Sequence, residues 1–160
     1  MITAVDTNIL LDILYNDAEF GKKSSELLES QSHMGRLIIC PIVYSELLVF
    51  FLRKHETKAA ILKLEEFLED MDVQILDFNM EDFNLSAQAW QNFSDLKRII
   101  CPKCGAANQF NCKKCKSQLM WRNHLITDFL IGAHSQNHGD VFLTRDRGYY
   151  KRYFKIKIIY

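Results

Sequence analysis

The chain has 160 residues, of which 48% are hydrophobic and 25% charged, a size and composition that favour one folded core. It contains no run of eighteen apolar residues, and no basic-then-apolar leader precedes its first acid, Asp6. These features argue against a membrane span, and we expect a soluble cytoplasmic protein.

Charge is distributed unevenly along the chain, although the net charge is zero. Residues 1–96 contain 7 Lys/Arg and 17 Asp/Glu, whereas residues 97–160 contain 13 and 3. The two parts therefore carry formal charges of −10 and +10. Such asymmetry favours a local basic face that attracts polyanions, although a solvated charged surface explains it about equally well.

Short apolar segments alternate with longer segments of helical periodicity, and this alternation predicts an α/β fold. In chain order the predicted strands are ITAV, LIIC, VQIL, VFLT and IKIIY. Helices are predicted at about residues 9–15, 20–31, 42–54, 57–70, 80–98 and 122–137. We expect one domain, residues 1–160, with a mostly parallel sheet flanked by helices and one small insert.

Two acidic residues follow predicted strands directly. Asp6 comes after ITAV, and Asp146 comes shortly after VFLT in LTRDRGY. Because reactive groups of open α/β sheets gather at the carboxyl ends of the strands, we expect both carboxylates at one rim of the sheet.

Two further acids lie inside strongly apolar helical segments: Glu46 in PIVYSELLVFFL and Asp128 in HLITDFLIGAH. Burial of an ionised carboxylate costs several kcal/mol unless a cation or hydrogen-bond donors compensate it. Convergence of all four acids would therefore require positive charge. Oxygen ligands favour Mg²⁺ or Mn²⁺ over zinc at such a site.

Each of these acids also has a purely structural explanation. Asp6 and Asp128 are suited to capping a helix, and Asp146 is suited to a turn that ends a strand. Glu46 is suited to an ion pair with an arginine. Taken singly, these explanations compete well, and only the joint placement of the four acids favours a metal site.

The segments VDTNILLDIL, YSELL, TDFLIGAHS and LTRDRGY occur in this order and span nearly the whole chain. With them the sequence resembles the PIN domain nucleases, and most closely the toxin ribonucleases of the VapC type. The resemblance implies a PIN-like fold and an acidic quartet. Carried over to this chain, the quartet is Asp6, Glu46, Asp128 and Asp146, with Asn8 and Thr144 as supporting polar residues.

The resemblance further implies cleavage of RNA phosphodiesters by one or two Mg²⁺ or Mn²⁺ ions held by these carboxylates. We expect Asp6 and Asp128 to bind the principal ion. Glu46 and Asp146 would complete its shell through water or hold a second ion. Arg145 and Arg147 flank the last acid and are candidates for contacting substrate phosphate, with surface solvation as the alternative.

In the resembled toxins a small antitoxin blocks the acidic pocket and the nuclease forms a homodimer, so both partners are implied here beside RNA. An RNA-processing nuclease without an antitoxin is a second reading, because some such relatives carry a zinc ribbon. A non-catalytic RNA-binding module, in which the acids are only structural, is the third.

A second metal site is predicted in the segment CPKCGAANQFNCKKC, within an insert at residues 99–118. Two C-x2-C pairs supply four thiolates in the spacing of a structural Zn²⁺ site, and an insert too small for its own core needs such an ion. The predicted ligands are Cys101, Cys104, Cys112 and Cys115. Lys113 and Lys114 are candidates for RNA contacts on this insert. A purely structural zinc-bound insert with solvated lysines explains them at least as well.

Overall fold

A computed structural model describes residues 1–94 and 126–160 of the chain. Between these ranges it describes only residues 99–100, 107–108, 110–111, 114, 116 and 118–119. The four predicted zinc ligands and Lys113 lie outside the described residues, so the predicted ribbon stays a prediction.

The described strands form one parallel sheet and two short antiparallel ladders. In chain order they are β1 (Ile2–Val5), β2 (Arg36–Ile39), β3 (Val73–Ile75), β4 (Ile99–Ile100), β5 (Ala107–Asn108), β6 (Phe110–Asn111), β7 (Gln118–Leu119), β8 (Val141–Leu143) and β9 (Lys157–Ile159). The sheet has the order β3-β2-β1-β8-β9, with every neighbouring pair parallel. The ladders pair β4 with β5 and β6 with β7.

The described helices connect these strands. They are α1 (Thr7–Leu14), α2 (Gly21–Met34), α3 (Pro41–Leu52), α4 (Thr57–Asp70), α5 (Met80–Ser94), α6 (Ile126–His138) and α7 (Arg147–Tyr153). The predicted α/β fold with a parallel sheet is thus confirmed. Within the described ranges, no helix combines the length and the apolar character that a bilayer crossing demands.

The sheet centre forms the hydrophobic core, because β1 and β8 are covered by helices on both faces. Val5, Phe142 and Leu143 are at most 2% exposed. Continuous apolar runs such as ITAV and VFLT are typical of strands buried in this way. Since Val5 is in register with Leu143, the two strands end side by side. Residues that follow them are therefore neighbours.

Helices α5 and α6 pack antiparallel. Asp82 near the start of α5 contacts His138 at the end of α6. At the other end, the rings of Phe93 and Phe129 are 5.4 Å apart between centroids. The chain therefore leaves α5 and enters α6 at the same end of the helix pair.

Candidate active site

Asp6 lies where β1 ends and α1 begins, and its side chain is buried. Its backbone N–H donates to Leu143 of the neighbouring strand at 3.0 Å. One carboxylate oxygen accepts from the Thr7 N–H at 2.8 Å. The other accepts from Asn8 Nδ2 and from Thr144 Oγ1, each at 2.6 Å. The sheet rim thus holds this carboxylate in one orientation, and Asp6 is also the N-cap of α1.

Asn8 and Thr144 connect the start of α1 to the loop after β8. Asn8 Nδ2 donates to Thr144 Oγ1 at 3.2 Å, and Asn8 Oδ1 accepts from the Arg145 N–H at 3.2 Å. Thr144 Oγ1 also accepts from the Asp146 N–H at 3.0 Å. Both residues were predicted as supporting polar groups, and the structure places them between Asp6 and Asp146.

Glu46 enters the same region from α3. Its carboxylate accepts a short hydrogen bond from the hydroxyl of Thr7, the residue after Asp6. The helix begins at Pro41, whose fixed φ and missing N–H suit the first helical position. Glu46 lies one and a half turns further on and is half-buried. The Thr7 hydroxyl therefore links α3 to the Asp6 turn.

Asp146 and Asp128 complete the acidic group, and both are half-buried. Asp146 is the N-cap of α7 and accepts from the Tyr149 N–H at 3.3 Å. Asp128 lies in the first turn of α6. The charge of Asp146 acts on Asp6, and the charge of Asp128 acts on Glu46. The four acids are therefore linked in a series: Glu46 and Asp146 act on Asp6, and Asp128 acts on Glu46.

Two of these acids, Asp6 and Glu46, have raised pKa values. Burial raises the pKa of Asp6 to about 7; hydrogen bonds from Thr144 and Thr7 oppose that rise, and the charges of Glu46 and Asp146 reinforce it. Burial also raises the pKa of Glu46, with a further contribution from Asp128. Among the described residues, no basic side chain forms an ion pair with Asp6 or Glu46. In the described part of the chain, hydrogen-bond donors rather than a basic side chain therefore balance the charges of Asp6 and Glu46.

Comparison with known proteins identifies the domain. The family model of the PIN domain matches residues 3–155. The chain belongs to the PIN domain family. No curated protein sequence matches it.

Solved structures share the PIN fold of this chain. VapBC2 from Rickettsia felis, bound to a DNA fragment of its promoter, matches with a TM-score of 0.66 at 18% identity, covering 99% of this chain and 98% of that one. VapBC-1 from nontypeable Haemophilus influenzae matches with 0.67 at 16% identity, covering 99% and 97%. VapC20 from Mycobacterium tuberculosis, a toxin that cleaves the sarcin-ricin loop, matches with 0.57 at 12% identity, covering 96% of each chain.

The donors of this PIN domain suit a hard divalent cation. All four side chains offer carboxylate oxygens, the ligand type that Mg²⁺ and Mn²⁺ prefer. In the ranges that the structure describes, no three His, Cys, Asp or Glu side chains are grouped closely enough to hold one ion. Mg²⁺ usually takes only one or two carboxylates and keeps several waters. An ion at this rim would therefore be held directly by at most two of these carboxylates, with water in its remaining positions.

The predicted phosphate contacts have different outcomes. Arg145 Nη2 lies 3.0 Å from Oδ1 of Asp12, a buried acid in α1, so its head group turns toward α1 and α2. A role of Arg145 in contacting phosphate stays a prediction. Arg147 begins α7, but its side chain lies outside the described part, whereas Lys114 is described and exposed.

Asp12 is a residue that the sequence analysis missed. It lies in the apolar segment ILLDIL, and the criterion that selected Glu46 and Asp128, an acid in an apolar helix, applies to it equally. Its carboxylate has a cationic partner, Arg145, whereas Asp6 and Glu46 have none among the described residues. The ion pair with Arg145 distinguishes Asp12 from Asp6 and Glu46, and the sequence alone does not reveal it.

Proposed function

We propose that this PIN domain is a Mg²⁺- or Mn²⁺-dependent endoribonuclease that hydrolyses RNA phosphodiesters. The observation that supports this most is the placement of Asp6 and Asp146 after β1 and β8, with Glu46 linked to the Asp6 turn through the Thr7 hydroxyl and Asp128 acting on Glu46 through its charge. Burial raises the pKa values of Asp6 and Glu46 and so disfavours their ionised forms. A bound cation would stabilise the ionised carboxylates at neutral pH.

The side chains have distinct parts in this proposal. When bound, a divalent ion activates water and neutralises charge that develops on phosphoryl oxygens. Asp6 and Asp128 would hold the principal ion, with Glu46 and Asp146 acting through water or on a second ion. Asn8 and Thr144 orient the Asp6 carboxylate through hydrogen bonds of 2.6 Å. No side-chain nucleophile is needed.

We further propose a toxin role of the VapC type, in the cytoplasm, with an antitoxin as inhibitor and a homodimer as the assembled form. The support is a fold shared with VapBC structures along nearly the whole chain. Co-expression with the gene next to its own tests the antitoxin, because a cognate inhibitor would co-purify and suppress cleavage. An RNA-processing nuclease would show no such partner.

The Cys-rich insert is proposed to bind one structural Zn²⁺ through Cys101, Cys104, Cys112 and Cys115. Four thiolates fill a tetrahedral site, which leaves no open position for catalysis. Elemental analysis of the purified protein should give one zinc per chain, and Cys104→Ser should remove it. If zinc is absent from protein purified without chelator, the ribbon proposal fails independently of the nuclease proposal.

Cleavage of a structured RNA with and without Mg²⁺ tests the nuclease proposal. Wild type should cleave only with the ion, and Asp128→Asn should lower the rate by about 100-fold or more, because metal-ion stabilisation contributes several kcal/mol. The matched control is Asp70→Asn, which removes an exposed carboxylate from α4. Equal activity of wild type and Asp128→Asn would contradict the proposal and favour the non-catalytic RNA-binding module.

A further inference from the structure

A buried ion pair joins α1 to the loop that carries Asp146. Arg145 Nη2 lies 3.0 Å from Oδ1 of Asp12, whose side chain is 3% exposed. Oδ2 of Asp12 accepts from Ser24 Oγ in α2 at 2.7 Å. Both oxygens of this carboxylate are thus engaged. A buried carboxylate without its cation is strongly destabilised, so Asp12 depends on Arg145.

The connection between α1 and α2 contacts the guanidinium group through Phe20. The Phe20 ring centroid lies 4.4 Å from Arg145 Cζ, which is a cation–π contact. The Asp17 N–H donates to the Asp12 carbonyl at 2.9 Å and closes the connection on itself. Arg145 is therefore held by an aromatic face and a carboxylate, and its side chain is only a third exposed.

The same loop is attached to α1 a second time through its backbone. The Arg145 N–H donates to Asn8 Oδ1 at 3.2 Å. Asn8 and Asp12 are four residues apart and so lie on one face of α1, in successive turns. Arg145 thus contacts α1 at two points, and its chain neighbours are Thr144, which bonds to Asp6, and Asp146.

We propose that Asp12 and Arg145 are positioning residues whose ion pair fixes residues 144–146 against α1 and thereby sets the place of the Asp146 carboxylate relative to Asp6. This inference rests on the proposed function, because it gives the pair a part in metal binding and cleavage. Partners that orient metal ligands typically contribute about 10–100-fold to metal affinity or activity. Neither residue touches the reacting atoms.

Three variants test the pair: Asp12→Asn, Arg145→Gln and the double variant. The first measurement is amide hydrogen exchange by NMR without metal. Both single variants should speed exchange of the Arg145 and Asp146 amides by about tenfold or more, while the β8 amides of Val141–Leu143 stay protected. The matched control is Glu26→Gln, which removes one charge of the exposed pair between Lys22 and Glu26 on α2.

The second measurement is Mn²⁺ binding by calorimetry, followed by kcat and KM for RNA cleavage. Both single variants should weaken Mn²⁺ binding and lower kcat about 10–100-fold, with KM unchanged. The double variant should be no worse than either single one, because both remove the same interaction. If Asp12→Asn does not fold, Ser24→Ala should change all these quantities in the same direction by a smaller factor.

Two results would overturn the proposal. Unchanged exchange at residues 145 and 146 with unchanged Mn²⁺ binding, whatever the melting temperature, would leave the pair a purely structural role. A raised KM in Arg145→Gln alone, with Asp12→Asn equal to wild type, would instead make Arg145 a direct phosphate contact. If wild type cleaves no RNA, the proposed function fails, and the exchange data still decide whether the pair fixes the loop.

Discussion

Two buried aspartates of this chain have pKa values shifted in opposite directions. Asp6 at the sheet rim and Asp82 between α5 and α6 are 5% and 0% exposed. Each accepts three hydrogen bonds, those of Asp82 coming from the Asn79 N–H, Asn137 Nδ2 and His138 Nε2 at 2.7–2.9 Å. Burial raises both pKa values, yet the pKa of Asp82 ends below its ordinary value, because the hydrogen bonds outweigh burial.

Burial outweighs the hydrogen bonds at Asp6, whereas the hydrogen bonds outweigh burial at Asp82, and neighbouring charge adds a smaller effect in the same direction at each site. Glu46 and Asp146 raise the pKa of Asp6, whereas the imidazole of His138 lowers that of Asp82. A buried carboxylate whose pKa is raised is a candidate for function. We interpret a buried carboxylate whose pKa is lowered by hydrogen-bond donors as structural. The number of hydrogen bonds alone does not separate the two cases.

Charge removal at the two sites gives the largest expected contrast. Asp6→Asn should lower RNA cleavage by about 100-fold or more, since it removes a principal metal ligand. Asp82→Asn should retain cleavage within about threefold, measured at a temperature where circular dichroism shows both variants folded, because surroundings of this kind are structural. Comparable losses of cleavage in both variants would contradict a functional role for Asp6 that Asp82 lacks.

The pH dependence of Mn²⁺ binding gives the next largest effect. Because the pKa of Asp6 is raised to about 7, the ion must displace a proton below that pH. Affinity should rise by up to about tenfold per pH unit between pH 5 and 7 and level off above. Calorimetry in buffers of different ionisation enthalpy measures the proton release, which Asp6→Asn should diminish. Affinity that is flat over this range would contradict the raised pKa.

The smallest expected effect is on folding stability. Its pH dependence has opposite signs for Asp82 and Asp6. The lowered pKa of Asp82 means that its contribution is present above its unfolded value near 3.8 and lost as pH falls through the folded value. Urea unfolding of Asp82→Asn should therefore show a loss of about 2 kcal/mol at pH 7 and a smaller one at pH 3. Asp70→Asn is the exposed control.

The raised pKa of Asp6 acts in the other direction. Asp6 binds its proton more tightly in the folded protein than in the unfolded chain. The contribution of Asp6 to the stability of the metal-free protein therefore falls as pH rises from about 4 to about 7. Saturating Mn²⁺ should remove this fall. A metal-free protein equally stable at both pH values, with Asp6→Asn identical to it, would show that the rim is not strained by its charge.

Much of the fold follows from local sequence patterns. Each predicted strand of the parallel sheet lies within about one residue of an observed strand, because strands buried on both faces are apolar runs that stand out from amphipathic helices. Helix α7 was missed. The segment RDRGYYK has Gly148 near its start, and no helix was predicted there, whereas Asp146 caps a seven-residue helix.

The four acids stand out in the sequence because each either follows a strand or interrupts an apolar helix, and their role in one site stays a prediction. Their hydrogen-bond partners do not stand out in the sequence. Asn8 and Arg145 are hydrogen-bonded across 137 positions of sequence, and Thr7 reaches Glu46 across 39. Such pairings depend on which strands become neighbours, which one sequence does not specify. For the same reason, only the structure separates Asp12, which pairs with Arg145, from Asp6 and Glu46.

The antiparallel packing of α5 against α6 has a consequence for how this domain can change. Because Ser94 and Ile126 lie at the same end of the helix pair, whatever connects them departs and returns at one place. The entropic penalty for lengthening such a connection grows only logarithmically, so the junction tolerates modules of very different size. Asp128 lies two residues beyond the start of α6. A module exchanged at this junction would therefore be attached close to one of the four acids. It could alter which molecules reach that carboxylate without any change to the sheet.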